Sequence, residues 1–160
     1  MSALVIRAGR LGDEDAILTL LHELAEYERL DHRFHLTREA IARDLLCETP
    51  RLCVDLALLG EEPAGLMSWY WTYSSFAAAR GIHLEDFYVR GPLRGRGIGR
   101  KLLAHLARRA VEEGAVRIDW AVLPWNRPSI DFYENIHAER VDEWHVYRLS
   151  GEALLNLSNL

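Results

Sequence analysis

The sequence predicts an α+β fold, a mixed, largely antiparallel, twisted sheet with helices on both faces, in a single domain of residues 1–160. A length of 160 residues fits one domain with a real core. Strand and helix patterns follow one another in the order β-α-α-β-β-β-α-β-α-β, which is typical of a mixed sheet covered on both sides. The sequence contains no internal repeat and no linker-like segment long enough to divide it.

The first elements are a short strand and two capped helices. The apolar run Leu4–Ala8 predicts the strand. Asp13 is a suitable cap for a first helix, and Thr37 for a second helix that should run to about Leu46. The first helix keeps apolar side chains at helical spacing, namely Ile17, Leu20, Leu21 and Leu24.

Three strands are expected in the middle of the chain. Segments 51–59 and 64–73 flank the turn 60–63, which contains Gly60 and Pro63 and predicts a hairpin. Segment 82–89 should pair beside them as a further strand. Together the three would form the antiparallel centre of the sheet.

The last third of the chain begins with a long amphipathic helix. It should span residues 97–113 and end at Gly114, with five side chains pointing inward: Ile98, Leu102, Leu103, Leu106 and Ala110. A strand over 116–123, a helix over 128–135 and a last strand over 141–149 should follow. The tail has room for one more helical turn.

Composition excludes several classes of protein. A net charge of −5 argues against nucleic acid as a partner. No apolar run approaches the ~20 residues of a membrane span, and the N-terminus is too quickly polar for a signal peptide, so a cytoplasmic location without a membrane partner is expected. Cys47 and Cys53 lack metal-type spacing and predict buried free thiols, with no metal. The acidic segment 13–31 is either a solvated helix face or a wall that attracts a cationic substrate.

The stretch 90–101 carries five cationic side chains and four glycines, with no acidic residue. Glycines allow positive φ, so that successive N–H groups point the same way, and a helix that starts there adds its positive end. Such a loop binds phosphate oxygens. A Walker loop is excluded because Leu102 follows Lys101 where a hydroxyl is needed for Mg²⁺. The G-x-G-x-G spacing, far from the N-terminus, also disfavours a dinucleotide fingerprint.

The motif R-G-x-G-I-G after the strand Leu-Glu-Asp-Phe-Tyr-Val resembles the pyrophosphate loop of the GNAT acetyltransferase superfamily, which binds acyl-coenzyme A.

A second motif is N-x-x-S-x-x-F-Y, from Asn126 to Tyr133. Asn126 suits a helix cap and Pro128 the first helical turn. Ile130, Tyr133 and Ile136 would then share one face. This motif resembles the second half of the superfamily's acyl-CoA site.

Glu85 and Asp86 are candidate proton acceptors near the end of the strand before the loop. Neighbouring residues on a strand face opposite sides, so both can point into one pocket only if a bulge breaks the alternation. A Glu there is a plausible base, acting directly or through water, because free amines are mostly protonated at neutral pH. A paired or solvated carboxylate is the competing interpretation.

Nearly the whole chain resembles the diamine (spermidine/spermine) acetyltransferases of that superfamily. The likeness rests on Glu-Leu-Ala-Glu-Tyr-Glu at 23–28, the Leu-Glu-Asp strand at 84–86 and Ile118–Asn126. It implies Tyr133 as proton donor to the coenzyme A thiolate and Glu85 as base. It also implies a homodimer. The residues implied to hold acetyl-CoA are Phe87, Tyr88, Val89, Arg94, Gly95, Arg96, Gly97, Ile98, Gly99, Arg100, Asn126, Arg127, Pro128 and Ser129. Those implied to line the amine side are Tyr27, Glu28, Glu85, Asp86, Asp119, Trp120 and Ala121.

Two positions depart from the family pattern. His137 stands where the family usually has Gly. If that position needs positive φ, His is one of the better-tolerated substitutes, although the turn would shift. His83 stands where an aromatic such as Tyr is common. By alternation it shares a strand face with Glu85, so it either tunes that carboxylate or packs, and packing is the favoured interpretation.

The sequence therefore predicts an acetyl-CoA-dependent N-acetyltransferase for a small amine, a polyamine in the first instance. Because no motif positions a Cys to carry the acetyl group, direct attack in a ternary complex is expected. Transfer to a lysine-like amino acid or to a protein amine is the enzymatic alternative. A non-catalytic acyl-CoA-binding regulatory module is the other alternative, although it would need neither Tyr133 nor Glu85.

Overall fold

The computed structural model describes residues 3–160, which fall into two units that meet between Ala121 and Val122. The first unit contains five strands, β1 to β5 in chain order, at Leu4–Ala8, Cys53–Leu59, Glu62–Ser74, Ala79–Val89 and Ile118–Asp119. Its helices are α1 (Glu14–Tyr27), α2 (Arg38–Ala40, continued by a π-helical turn at Ile41–Leu45) and α3 (Ile98–Glu112). The second unit contains α4 (Arg127–Asn135) and α5 (Gly151–Ser158).

The five strands form one sheet in the order β1-β2-β3-β4-β5. The first four are antiparallel neighbours, and β5 pairs parallel to β4. The helices α1 and α2 bury their apolar side chains against Val54, Leu56 and Leu66. Because side chains alternate between faces, Asp55 points to the other face, where it meets the side chain of Arg109 from α3. The predicted fold class, with helices on both faces of the sheet, is confirmed.

A β-bulge lies in the middle of the β3–β4 hairpin. Ser68 is paired with Asp86, but the next residue, Trp69, is paired with Leu84. Glu85 is therefore the extra residue on β4, which breaks the alternation at this point. The bulge on which the sequence argument depended is present at Glu85 itself.

The helix cores agree with the predicted apolar stripes. All four expected residues of α1 and all five of α3 are buried. Thr37 caps α2, since its hydroxyl oxygen accepts from the Ala40 N–H at 3.2 Å. Asn126 caps α4, since its side-chain oxygen accepts from the Ser129 N–H at 3.4 Å. Within residues 3–160, no helix is long and apolar enough to cross a membrane.

Three helices end in the same Schellman arrangement. At the end of α3, the Ala115 N–H donates to the Ala110 oxygen across the left-handed Gly114, with φ of 69°. At the end of α4, the Ala138 N–H donates to the Tyr133 oxygen across His137, with φ of 63°. Arg29 has the same role after α1, with φ of 60°. The position of His137 thus does require positive φ, which His adopts at some cost.

Three local predictions were wrong. Asp13 makes no capping hydrogen bond, because its carboxylate is bound by the Arg7 guanidinium at 2.6 and 2.9 Å, a charge-assisted pair that lowers the pKa of Asp13. The strand predicted over 116–123 is reduced to the two residues of β5. Segment 141–149 forms no strand, and its residues Val146 and Tyr147 are 90% and 92% exposed. A β-pattern becomes a strand only where a neighbouring backbone pairs with it.

Candidate functional site

The glycine-rich loop leads directly into the N-terminus of α3. Gly95 and Gly97 have φ of 76° and 78°, and α3 begins at Ile98. A Cβ at either glycine would meet no atom within 4 Å, so glycine is needed there for the backbone angle and not for lack of space. The loop therefore presents backbone N–H groups and the positive end of a 15-residue helix to solvent.

The cations of this loop are not equivalent. Arg96, Arg100 and Lys101 are exposed. Arg90 is held inside the fold: its Nη2 lies 2.8 Å from Glu23 Oε1, and its Nη1 donates to the Pro63 oxygen at 3.2 Å. Arg90 therefore fixes the start of the loop to α1 and to the β2–β3 hairpin.

Arg94 turns back from the loop towards α1. Its Nε donates to the Val89 oxygen at 2.9 Å, and its guanidinium carbon lies 4.5 Å from the centre of the Tyr27 ring. The same group is 5.6 Å from the Tyr88 ring. This places a residue expected on the cofactor side, Arg94, in cation–π contact with one expected on the amine side, Tyr27. Ile98 is buried, so only its backbone is available to a ligand.

The strand β4 extends well beyond its pairing with β5. The parallel register covers Ile82↔Ile118 and His83↔Asp119, while β4 continues to Val89. Phe87, Tyr88 and Val89 thus lie past the last register pair, on a strand that β3 pairs from the other side. An extended strand of this kind can offer peptide groups to the amide-containing arm of a ligand.

Three carboxylates converge where α1 ends beside the bulge. The Asp86 N–H donates to Ser68 Oγ at 3.1 Å, and the Ser68 hydroxyl donates back to the Asp86 carboxylate. Burial raises the pKa of Asp86, and the nearby Glu85 raises it further, against the opposing effect of the Ser68 hydrogen bond. Burial also raises the pKa of Glu28, to which Asp86 adds. We call Glu28, Glu85 and Asp86 the acidic cluster.

His83 lies beside the exposed member of the acidic cluster. Its Nε2 is 3.5 Å from Glu85 Oε2, and its ring is 5.1 Å from the ring of Tyr70 on β3. On its other side, Asp119 is its register partner on β5 and is bound by Arg117 at 2.8 Å. Trp120 and Ala121 follow directly on the chain.

In the second unit, α4 carries the Asn126–Tyr133 motif. Asn126 is buried, and Pro128 lies in the first turn. Arg127 binds Asp131 at 2.6 Å and Glu134 at 3.3 Å along the outer face of the helix. Tyr133 is partly buried and lies 5.6 Å, between ring centres, from Phe132.

The first unit therefore brings together Glu28, Glu85 and Asp86, and separately Tyr27 with Arg94. Ser68 and Tyr70 were not expected at the site. A polar residue inside an otherwise apolar run, as Ser68 is between Met67 and Trp69, is a signal that could have identified it. Among residues 3–160, no group of three His, Cys, Asp or Glu side chains is placed to hold a metal ion.

Comparison with known proteins shows which family this chain belongs to. Residues 15–138 match the acetyltransferase (GNAT) family. A thialysine N-epsilon-acetyltransferase of Bos taurus is 36% identical over 169 residues, covering 99% of each protein. An L-ornithine N5-acetyltransferase of Arabidopsis thaliana is 29% identical over 200 residues, covering 97% of this chain and 88% of that protein. An integron cassette protein from V. cholerae has the same fold, with a TM-score of 0.83, 23% identity and coverage of 100% and 99%.

Proposed function

The chain belongs to the acetyltransferase (GNAT) family and is an N-acetyltransferase, and on that premise we propose that it acetylates the side-chain amine of a lysine-like amino acid. The donor is acetyl-CoA, and the amine attacks it directly in a ternary complex. The observation that carries the choice of acceptor is the acidic cluster, because partly buried carboxylates at the end of α1 attract an ammonium group. The likeness to enzymes for thialysine and ornithine supports it.

The loop and its helix fit the diphosphate of acetyl-CoA. Diphosphate oxygens need donors and positive charge. The loop offers both, through left-handed glycines with open space beside them, a helix N-terminus and the exposed side chains of Arg96, Arg100 and Lys101. Peptide groups of Phe87, Tyr88 and Val89 would hold the pantetheine arm. Residues 126–129 are proposed contacts of acetyl-CoA on the strength of their motif alone. When bound, acetyl-CoA supplies the acetyl group as a thioester.

Glu85 is the proposed proton acceptor. An amine is a nucleophile only after it has lost its ammonium proton, so a base must lie on the amine side. Glu85 is the exposed member of the acidic cluster, and the bulge brings it to the side of Asp86. Glu28 and Asp86 would hold the ammonium group, while Glu85 accepts the proton directly or through water.

Tyr133 is the proposed proton donor to the sulfur of the leaving group. This role rests on its place at the end of the Asn126–Tyr133 motif. Of the two thiols expected to be buried, Cys47 is exposed and Cys53 is half-buried. A covalent route through Cys53 is disfavoured by the thiol itself, since burial raises its pKa and Asp55 adds to that rise. A protonated thiol is a poor nucleophile.

A polyamine is the second candidate acceptor. Three carboxylates exceed what one ammonium group requires, and Asp119 lies beside His83 on the same sheet. If a polycation binds there, its turnover should weaken as salt rises, since exposed charges are screened.

The acceptor is tested by release of free thiol from acetyl-CoA with a panel of amines. Thialysine, ornithine and lysine should give higher kcat/KM values than spermidine. Peptides that offer a free N-terminal amine should give the lowest values. A preference for spermidine would favour the polyamine. Absence of thiol release with every amine, in a folded protein, would contradict the proposed activity.

A homodimer and a cytoplasmic location complete the proposal. Support for self-association comes from exposed apolar side chains near the C-terminus, among them Trp144, Val146 and Tyr147. Sedimentation equilibrium should give twice the mass of 18.4 kDa. A monomer at micromolar concentration would remove this part of the proposal.

A further inference from the structure

We propose that His83 is a proton relay, which takes from Glu85 the proton that the acceptor amine has lost and passes it to solvent. The inference rests on the proposed function. A base that accepts a proton in every turnover must also lose it in every turnover, and a histidine is the side chain that exchanges protons with water most readily near neutral pH.

The geometry places the two groups in reach of each other. Nε2 of His83 lies 3.5 Å from Oε2 of Glu85. Catalytic hydrogen bonds are often longer in ligand-free enzymes than in their substrate complexes. The His83 side chain is 29% exposed and that of Glu85 is 52% exposed, so the imidazole meets both the carboxylate and water. The tilted ring of Tyr70, 5.1 Å away, supports the imidazole from β3.

The charges around His83 favour movement of a proton towards it. Glu85 on β4 and Asp119 on β5 are its acidic neighbours, and Arg117 is bound to Asp119 at 2.8 Å. Beyond Glu85 lie the carboxyl groups of Asp86, which interacts with Glu85, and of Glu28, which interacts with Asp86. An imidazolium beside Glu85 is therefore stabilised by the carboxylate that remains.

The relay balances as three transfers. The N–H bond of the ammonium breaks and an O–H bond forms on Glu85, which leaves the amine free to attack. The O–H bond then breaks and an N–H bond forms at Nε2 of His83. Finally the imidazolium gives the proton to water or buffer, and both side chains return to their starting state.

A second histidine provides a matched control on the opposite face of the sheet. His105 on α3 has a side chain that is 25% exposed, and its Nε2 lies 3.7 Å from Asp55 Oδ1. Its exposure and its carboxylate neighbour resemble those of His83, but Asp55 is a buried residue bound by the Trp69 indole N–H at 2.7 Å. His105→Phe should thus affect stability and leave catalysis unchanged.

The test compares His83→Phe, His83→Ala and His105→Phe with the wild type, using the best acceptor of the panel. We expect both His83 variants to lose kcat near neutral pH, by less than the ~10²–10⁴-fold that a direct acid or base contributes. The acidic limb of their kcat profiles should become flatter, and their KM for acetyl-CoA should not change. Their rates should rise with buffer concentration, and added imidazole should restore His83→Ala towards the wild-type rate.

Two outcomes would overturn the relay. One is a wild-type kcat and pH profile in a folded His83→Phe protein. The other is a loss that neither buffer nor imidazole restores and that raises the acceptor KM instead, which is the signature of packing. A wild-type protein that acetylates no amine would overturn the proposed function and the relay together, whereas an active wild type confines the failure to His83.

Discussion

Ser68 and Asp86 are joined by two hydrogen bonds across neighbouring strands. The Asp86 N–H donates to Ser68 Oγ at 3.1 Å, and the Ser68 hydroxyl donates to the Asp86 carboxylate. The pair fixes one carboxylate beside the bulge at Glu85 and opposite Glu28 at the end of α1. A charge held in this way costs folding free energy and becomes useful when a cation binds.

The pH dependence of stability should show that cost. The pKa of Asp86 is raised in the folded protein, so between about 4 and the raised value the folded chain binds more protons than the unfolded one. The contribution of Asp86 to stability therefore falls as pH rises through this window. Asp86→Asn should gain free energy of unfolding relative to the wild type over the same window, as measured by urea denaturation.

The control for this measurement is Asp15→Asn, because the Asp15 side chain is 78% exposed. Over this window the gain of Asp86→Asn should exceed any gain of Asp15→Asn. Asp86→Asn should also lose amine turnover while it retains acetyl-CoA binding. If the difference in unfolding free energy between Asp86→Asn and wild type is the same at every pH, the raised pKa of Asp86 is contradicted.

Acetyl-CoA should raise the melting temperature of the protein, because it binds only the folded chain. Gly97→Val should abolish this rise, since the left-handed loop can no longer form without strain. Gly114→Val is the matched control: it imposes similar strain at the other end of α3, with φ of 69°, but should keep the ligand-induced rise. An undiminished rise in a folded Gly97→Val protein would remove the loop from the cofactor site.

His137→Gly should stabilise the protein. His137 occupies the left-handed position after α4 that Gly114 occupies after α3. Left-handed backbone costs a non-glycine residue roughly 1–2 kcal/mol, part of which the greater flexibility of unfolded glycine offsets. We expect a net gain of about 1 kcal/mol or less in urea unfolding, and Gly114→Ala should lose a similar amount. A loss of stability in His137→Gly would show that the imidazole makes a favourable contact there.

Much of the local structure could be predicted from sequence because patterns within a few residues dictate it. Three kinds of feature follow from residues within one or two turns: the apolar stripes of α1 and α3, the caps at Thr37 and Asn126, and the glycines with positive φ. Such signals do not require knowledge of what the segment packs against.

The remaining features depend on partners distant in sequence. Arg90 counts among the five cations of the loop in sequence, but it is bound by Glu23, which lies 67 residues away. Segment 141–149 has a strand pattern but forms no strand, because pattern alone does not supply a pairing backbone. The bulge at Glu85 arises from the register of β3 against β4. From the sequence it could be named only as the condition under which Glu85 and Asp86 share one pocket.

The catalytic role of Tyr133 gives the most direct test of acetyl transfer by direct attack. Tyr133→Phe keeps the ring and removes only the hydroxyl, and Tyr147→Phe, at a side chain that is 92% exposed, is its control. The measurement is the single-turnover rate of acetyl transfer at saturating acetyl-CoA, together with the Kd for acetyl-CoA. Because general-acid assistance contributes ~10²–10⁴-fold, we expect the Tyr133→Phe rate to fall by that order with an unchanged Kd. A Tyr133→Phe rate equal to that of Tyr147→Phe and wild type would contradict the proposed mechanism.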